Sequence, residues 1–398
     1  MGAFLADWLN LLLRWAHLIA GISWIGTSFY FVALDFSLKK RAGMNPGVAG
    51  TAWEVHGGGF YHVEKYMVAP QALPDDLIWF KWEAYLTWLT GFLLLVVQYY
   101  WNAGTYLIDP SVLPLAWYDA VAISLAGLIG GWLVYDALCR SPLIGKPLLL
   151  AAAVFVLIVA AAWGFTHVFS GRGALIHIGA FIGTIMAANV FAVIIPNQRR
   201  ITETLLRGQE PDPAFGITGK QRSLHNTYLT LPVLLLMIGN HYPMLSNHPQ
   251  AWLLVALLVI GGAALRHFLV RHEVGDPLRA IAWTLPFIFG ALAVAVVMTS
   301  PAIEDISGLP QVGDAEVLNL SRLHCVACHA QNPTHEGFSE APKGAVLETI
   351  GDLRRFAGLI EKQTVHSHAM PLGNETGMTA AERRTLGLWI QQNRQPTP

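Results

Sequence analysis

Residues 5–34 read "LADWLNLLLRWAHLIAGISWIGTSFYFVAL". A run this long and apolar exceeds the ~20 residues that an α-helix needs to cross a bilayer. The polar residues within it are ordered. Asp7, Asn10, Arg14, His17, Gly21, Trp24 and Ser28 recur at steps of three and four, which places them on one stripe of a helix. Polar groups in hydrocarbon are costly, so the stripe is expected to face a bundle interior or a cavity. Such a helix needs neighbours.

The rest of the chain supplies them. Further apolar stretches lie at about 82–102, 115–138, 147–168, 173–195, 226–245, 250–270 and 279–300. The 398 residues are 54% hydrophobic and 13% charged, against about 25% charged in soluble domains. The fold class expected is all-α: eight transmembrane helices over residues 1–303, then a small helical domain over 304–398. A formal charge of −1 gives no reason to expect a nucleic-acid partner.

Lys and Arg orient the bundle. "LKKRAG" follows the first stretch, "CRSPLIGK" the third and "NQRRITETLLRGQ" the fifth, with Arg271 and Arg279 between the last two. The alternate connections "NAGTYLIDPSVLP" and "YPMLSNHPQ" contain neither. Basic connections stay in the cytoplasm, so both termini are expected outside. In a bacterial inner membrane that side is the periplasm. "MGAFLADW" has no basic segment of a cleaved signal.

The tail carries "LHCVACHA" at 323–330. Cys325, Cys328 and His329 form C-x-x-C-H, the attachment motif of a c-type haem. The two thiols of one helical turn reach one haem edge, and His329 supplies an axial nitrogen to the iron. The second axial ligand is expected downstream in "HSHAMPLGNETGMT". Met370, backed by Pro371, is preferred, and His366, His368 and Met378 are the other candidates. A zinc site would want a second ligand pair at regular spacing, and none is evident. Thr379 and Glu382 read as a capping box, opening a helix expected to pack on the helix before the haem motif. The remaining cysteine, Cys139, is expected to be structural.

Two further polar groups stand out. One is at the haem-motif side: His167, Arg172, His177, Asn240 and His241, from three different stretches. Arg14 and His17 would line its floor, with Asp119 as a salt-bridge partner for Arg14 under a structural reading. The other lies on the cytoplasmic side, with His56 and His62 in "WEVHGGGFYHVEKY" and His225, His267 and His272 nearby. HGGG resembles a hydrolase oxyanion loop, but no G-x-S-x-G elbow accompanies it. The glycines would permit close backbone approach to a ligand or another helix. This group could hold a b-type haem, bind substrate or brace the loops. "HLIAGISWIG" and "HIGAFIGTIMAANV" hint at a duplicated four-helix unit.

"LRWAHLIAGISWIGTSFYFVALD", "VHGGGFYHVEKYMVAP", "FKWEAYLTWLTGF", "SGRGALIHIGA", "NVFAVIIPNQR", "HNTYLTLPVLLLMIGNHYP" and "AMPLGNETGMT" together resemble the bacterial integral-membrane cytochrome c urate oxidases. The resemblance covers the whole chain. It implies oxidation of urate to 5-hydroxyisourate in purine breakdown. It also implies that electrons pass to the fused cytochrome c and on to a downstream cytochrome or terminal oxidase. The resemblance assigns no catalytic residues in the bundle. Those expectations rest on chemistry. A flat anion wants a cation, amide partners and aromatic walls. Arg172 or Arg14 could hold the charge, Asn240 an edge, and Trp163 or Trp24 a face. His17, His177 or His241 could take a proton, with His167 at the same level. His56 and His62 are the competing site. The alternatives are a membrane dehydrogenase for another small reductant, such as a quinol, and a non-enzymatic membrane-anchored electron carrier.

Overall fold

The computed structural model describes residues 2–66, 74, 76–300, 308–336 and 338–393. Helices occupy all eight apolar stretches. They are α1 (Gly2–Ser37), α2 (Trp82–Leu95), α4 (Trp117–Arg140), α5 (Pro147–Thr166), α6 (Gly171–Ala188), α8 (Pro213–Gly239), α10 (Ala251–Glu273) and α12 (Leu285–Thr299). Short helices α3 (Ala103–Tyr106), α9 (Pro243–Ser246) and α11 (Leu278–Ile281) fill connections, and α7 (Ile195–Leu206) prolongs α6. Among the described residues, six helices are long and apolar enough to cross a membrane: Trp8–Ser37, Trp117–Arg140, Pro147–Thr166, Gly171–Leu206, Ala251–Glu273 and Leu278–Thr299. This is a membrane protein. The other two helices fall short for different reasons. α2 is regular for only 14 residues before a wide π turn at Val96–Tyr100. α8 opens on the polar "PAFGITGKQRSLHN".

α6 is the central helix. Its sequence is apolar all round, so it has no side to give to solvent, and α2, α4, α5 and α8 pack against it. The buried positions of α4 are Ala120, Ser124, Leu128, Gly131, Tyr135 and Cys139, a single stripe at three- and four-residue steps. Gly131 is required there, because a Cβ would lie 1.9 Å from the Phe181 ring of α6. Leu128, Ile158, Phe165, Phe181 and Ile182 belong to one apolar core at mid-depth. Cys139 is buried in that core.

α1 is peripheral and packs mainly on α2. Its polar stripe faces that single helix. Gly21 lies against Thr87, the His17 ring covers Gly91, and Arg14 reaches Gln98. The side chain of Asp7 lies outside the described residues. Peripheral α1 and central α6 have unlike surroundings, despite their similar sequences.

The loop after α1 departs from expectation. It is an antiparallel hairpin, β1 (Val48–His56) and β2 (Gly59–Tyr66). Gly57 and Gly58 have φ of +59° and +80°, which suits a two-residue hairpin turn. No atom approaches within 4 Å of where their Cβ would be. The glycines serve chain reversal, not close approach to a ligand.

The tail folds as α13 (Asp314–His324), α14 (Ile350–Arg355), α15 (Ala357–Ile360) and α16 (Ala380–Gln392). α16 opens on the expected Thr379–Glu382 capping box. It packs on α13 through Val317, Trp389 and Ile390, and Trp389 Nε1 donates to Asp314 at 2.8 Å.

Candidate functional site

The tail touches one end of the bundle, and a polar cluster lies at that end. The π turn of α2 builds its centre. Widening the helix there fans three consecutive side chains toward three different neighbours. Gln98 accepts from Arg14 of α1. Tyr99 accepts from Asn240 Nδ2 at the end of α8, at 2.9 Å. Tyr100 meets Ser124 of α4 at 2.6 Å. π turns of this kind recur at functional sites.

Arg172 enters from the first turn of α6. Ser170 caps that helix by accepting from Gly173 N at 3.1 Å. A cation in a first turn opposes the helix dipole, and Arg14 adds a second positive charge. Among the described residues neither forms an ion pair, and the expected Arg14–Asp119 bridge is not made; Asp119 is exposed. Both guanidiniums act electrostatically on Tyr99. Arg172 Nε and Asn240 Oδ1 are buried without a partner. The cluster therefore holds an unmet donor on a cation and an unmet acceptor on an amide. Each such group costs about 1–3 kcal/mol if left so.

His241 stands at the rim, exposed. Partial burial and the positive charges of Arg14, Arg172 and Lys343 hold its imidazole below the ordinary histidine range.

The other predicted residues are elsewhere or engaged. His177 is fully buried among Tyr99, Tyr100, Phe165 and Phe169. Its Nδ1 faces the Gly173 carbonyl at 2.6 Å and must donate, so in the neutral ring Nε2 accepts from Ser124 at 2.7 Å. Tyr100 then donates to Ser124. His177 thus anchors the tyrosines and has no nitrogen left for substrate. His17 donates from Nδ1 to the Thr87 carbonyl at 2.9 Å and packs against α2. Trp24 packs with Ala84, Val190 and Ile195, ten residues beyond Arg14 and hence about 15 Å further along the helix. His167 is exposed and tied to Trp163, stacked on its ring at 4.5 Å. These placements separate Trp24, Trp163 and His167 from the cluster.

His56 and His62 do not converge. His62 pairs with Trp53 in the hairpin and covers its ring at 4.5 Å, while His56 pairs with Gly59. Strand alternation puts the two on opposite faces, and both are exposed.

The end of the bundle away from the tail holds a different arrangement. Arg222, fully buried, reaches Asp136 at 2.7 Å and Asn189 at 3.2 Å and covers the Tyr135 ring. Asn189 donates to Tyr135 and Asn226, both at 3.0 Å, and Tyr135 meets His225 at 2.7 Å. Sequence reasoning missed this network, and with it Gln98, Tyr99 and Ser124. Polar residues inside apolar runs, such as Gln98 in "LLLVVQYYW", were the available signal.

In the tail, the haem motif forms one turn, with His329 N donating to the Cys325 carbonyl at 2.8 Å. His329 Nδ1 faces the Ala345 carbonyl at 2.7 Å, which orients the ring and leaves Nε2 free to act as a ligand. Cys325 lines a cavity with Leu320, Leu353, Ile360, Met378 and Leu386. Met370 sits half-buried in the adjoining loop. Arg383 clamps that loop by donating to the carbonyls of Thr364 and Met370 and to Asn374. Two thiols on one turn, an oriented imidazole and an apolar cavity beside Cys325 that Met378 also lines fit a covalently held haem. His366 and His368 are both exposed.

No curated protein and no solved structure matches the chain. The urate oxidase N-terminal family matches residues 3–299, about three quarters of the chain and the whole of the bundle. With the bundle and its cluster in view, the chain belongs to the urate oxidase N-terminal family.

Proposed function

We propose that the protein oxidises urate at the tail-side cluster and delivers the electrons to a c-type haem in its tail. Residues 1–303 form the oxidising unit and 304–398 the cytochrome. The observation that carries the site is the pair of unmet groups around Tyr99, Arg172 Nε and Asn240 Oδ1. Urate offers what each lacks: an anionic edge rich in carbonyl oxygens for Arg172, and ring N–H groups for Asn240. Arg14 adds charge at the same edge. Tyr99, held by Asn240, orients the amide. His241 is the base that accepts a proton as substrate loses charge. Water adds at C5, and the balance is urate plus water giving 5-hydroxyisourate, two protons and two electrons.

Cys325, Cys328, His329 and Met370 would hold the haem, which would supply one-electron chemistry toward a downstream cytochrome or terminal oxidase. His177, His17 and His225 are tied to separate local partners, and the proposal routes no step through a b-type haem. Family membership favours this reading over a quinol dehydrogenase or a plain electron carrier. The Lys and Arg pattern supports eight spans in a bacterial inner membrane, with both termini periplasmic; a C-terminal reporter fusion should be active only in its periplasmic form.

The test is to add urate anaerobically to purified holoprotein and record the haem spectrum. Ferrous haem should appear together with 5-hydroxyisourate. A haem that stays ferric with urate but is reduced by ascorbate would overturn the assignment.

A further inference from the structure

The segment carrying Met370 is one that joins the tail to the bundle. On one side of Met370, the His368 carbonyl accepts from Asn247 Nδ2 at 3.1 Å. On the other side, Gly373 presses on the turn after α2. A Cβ at Gly373 would lie 2.9, 3.2 and 3.3 Å from the carbonyl oxygens of Thr105, Ile108 and Gly104. Those neighbours are backbone atoms with no flexible end to yield. Arg383, the clamp of the Met370 loop, feels the charge of Asp109 in the same turn.

The opposite face of that turn belongs to the substrate cluster. Ser170 donates from its hydroxyl to the Tyr106 carbonyl at 2.7 Å and from its N–H to the Leu107 carbonyl at 2.8 Å. Ser170 caps α6 two residues before Arg172. Tyr106 also meets the Tyr99 ring at 6.2 Å. One six-residue turn thus contacts the cluster on one face and the Met370 loop on the other. Met370 is three residues from Gly373, at most about 11 Å of extended chain.

We propose that the contact between residues 104–108 and the Leu372–Asn374 turn is the electron port between the urate site and the tail. Gly373 and Asn247 are the positioning residues that keep it closed. The inference rests on the proposed urate reaction. Each of the two electrons crosses this contact singly, while the two protons leave at the cluster and never enter the tail. No other contact is needed, because the port brackets Met370 from both sides. Movement of the tail would separate the turn from the loop and leave the urate site intact.

The backbone supplies its own control. Gly373 and Gly377 both have positive φ, +59° and +66°, so a side chain at either is strained. Only Gly373 has neighbours; around Gly377 nothing lies within 4 Å. In full-length holoprotein, Gly373→Leu should slow urate-driven haem reduction roughly tenfold to a hundredfold, the scale of an ångström-level misplacement. Gly377→Leu should react as the wild type. Both should retain urate affinity, the ferrous spectrum and full reduction by ascorbate. Amide hydrogen exchange across residues 103–108 should accelerate in Gly373→Leu alone. Should Gly373→Leu lose its haem, Asn247→Leu probes the same contact from the other side of Met370 and should show the same pattern in weaker form. Wild-type reduction rates in Gly373→Leu, or equal losses in the two glycine variants, would overturn the port. If urate fails to reduce even the wild type, the proposed reaction falls, and hydrogen exchange still reports whether the contact exists.

Discussion

Replacing Arg172 by Met tests the substrate site most directly. Met keeps much of the side-chain length and apolar stem but removes the charge and the Nε donor. In the free protein Arg172 forms no ion pair among the described residues, its Nε has no partner, and it sits against the dipole of α6. The fold should therefore lose nothing when it goes; relief of the dipole would, if anything, stabilise α6 by about 0.3–1 kcal/mol. The complex should lose a charge-assisted hydrogen bond, worth about 1.5–3 kcal/mol. At 1.4 kcal/mol per decade, the urate dissociation constant should rise roughly 10- to 140-fold. Arg172→Lys should fall between, since an ammonium keeps the charge but not the fixed fork. Calorimetric titration of ferric holoprotein with urate under argon measures the affinity, and thermal unfolding in the same detergent measures the fold. Unchanged affinity with an unchanged melting temperature would refute the site. A collapsed melting temperature would show that Arg172 supports the fold after all.

The remaining predictions concern the tail and the far end of the bundle. Acid–acetone should fail to extract haem from wild-type protein, and Met370→Ala should abolish the sulfur-to-iron band while Met378→Ala keeps it; the opposite outcome would move the ligand to the methionine that lines the Cys325 cavity. Arg222→Met should lower thermal stability by about 3 kcal/mol or more, because a buried ion pair loses one member, yet leave urate-driven haem reduction normal below the melting point. The backbone N–H and hydroxyl of Thr379, with a smaller part from His324, hold the Glu382 carboxyl down to about 2. Its contribution to tail stability is thus fully present above the ordinary glutamate range and is lost as pH falls from there toward 2. Acid unfolding followed through the haem absorbance should show this, with Glu382→Gln flattening that part of the curve. Since Glu382 is partly solvent-exposed, the effect should be small and weaken with salt.

Much of the fold was legible because hydrocarbon leaves little choice. Eight apolar stretches became eight helices, and the capping box and the α13–α16 pairing followed from short local patterns. The hairpin was misread, although "TAWEVH" and "GFYHVEKY" alternate and flank a Gly-Gly pair; reading HGGG for chemistry hid its backbone role. For the candidate site, helix-end level put Arg172, Asn240 and His241 at the same end of the bundle, where the structure also has them. It could not say which way a side chain turns. His167 shares their level but points to the outside with Trp163, and His177 points inward and is consumed by Gly173 and Ser124. Tyr99 stayed hidden because only a π turn, invisible to a 3.6-residue period, sets it beside Asn240.

The two polar layers of the bundle differ in a way that separates scaffold from site. At the far end, Arg222 has its carboxylate, Asn189 has three partners and Tyr135 has two. Such a network fixes the packing of α4, α6 and α8 beside the π turn at Asn189–Ile194 and neutralises its own cation. At the tail side, two guanidiniums lack a carboxylate and an amide oxygen lacks a donor. Both layers are expensive to place among apolar helices, and each keeps a buried guanidinium Nε without a partner, Arg222 at the far end and Arg172 at the tail side, but only the second leaves its cations without a carboxylate and an amide oxygen without a donor. That residue of unmet bonding is what an anionic, hydrogen-bonding substrate can satisfy. Along α4, α5 and α6, the apolar core residues Leu128, Ile158, Phe181 and Ile182 come between the two. With no polar chain described across them, protons released at the cluster should leave on the tail side, the same side as the electrons. Urate oxidation would then carry no net charge across the membrane. Reconstituted vesicles given urate and a membrane-impermeant one-electron acceptor should acidify the compartment that contains the tail. Acidification of the opposite compartment would mean that the Arg222 network conducts protons and is a pathway instead of a scaffold.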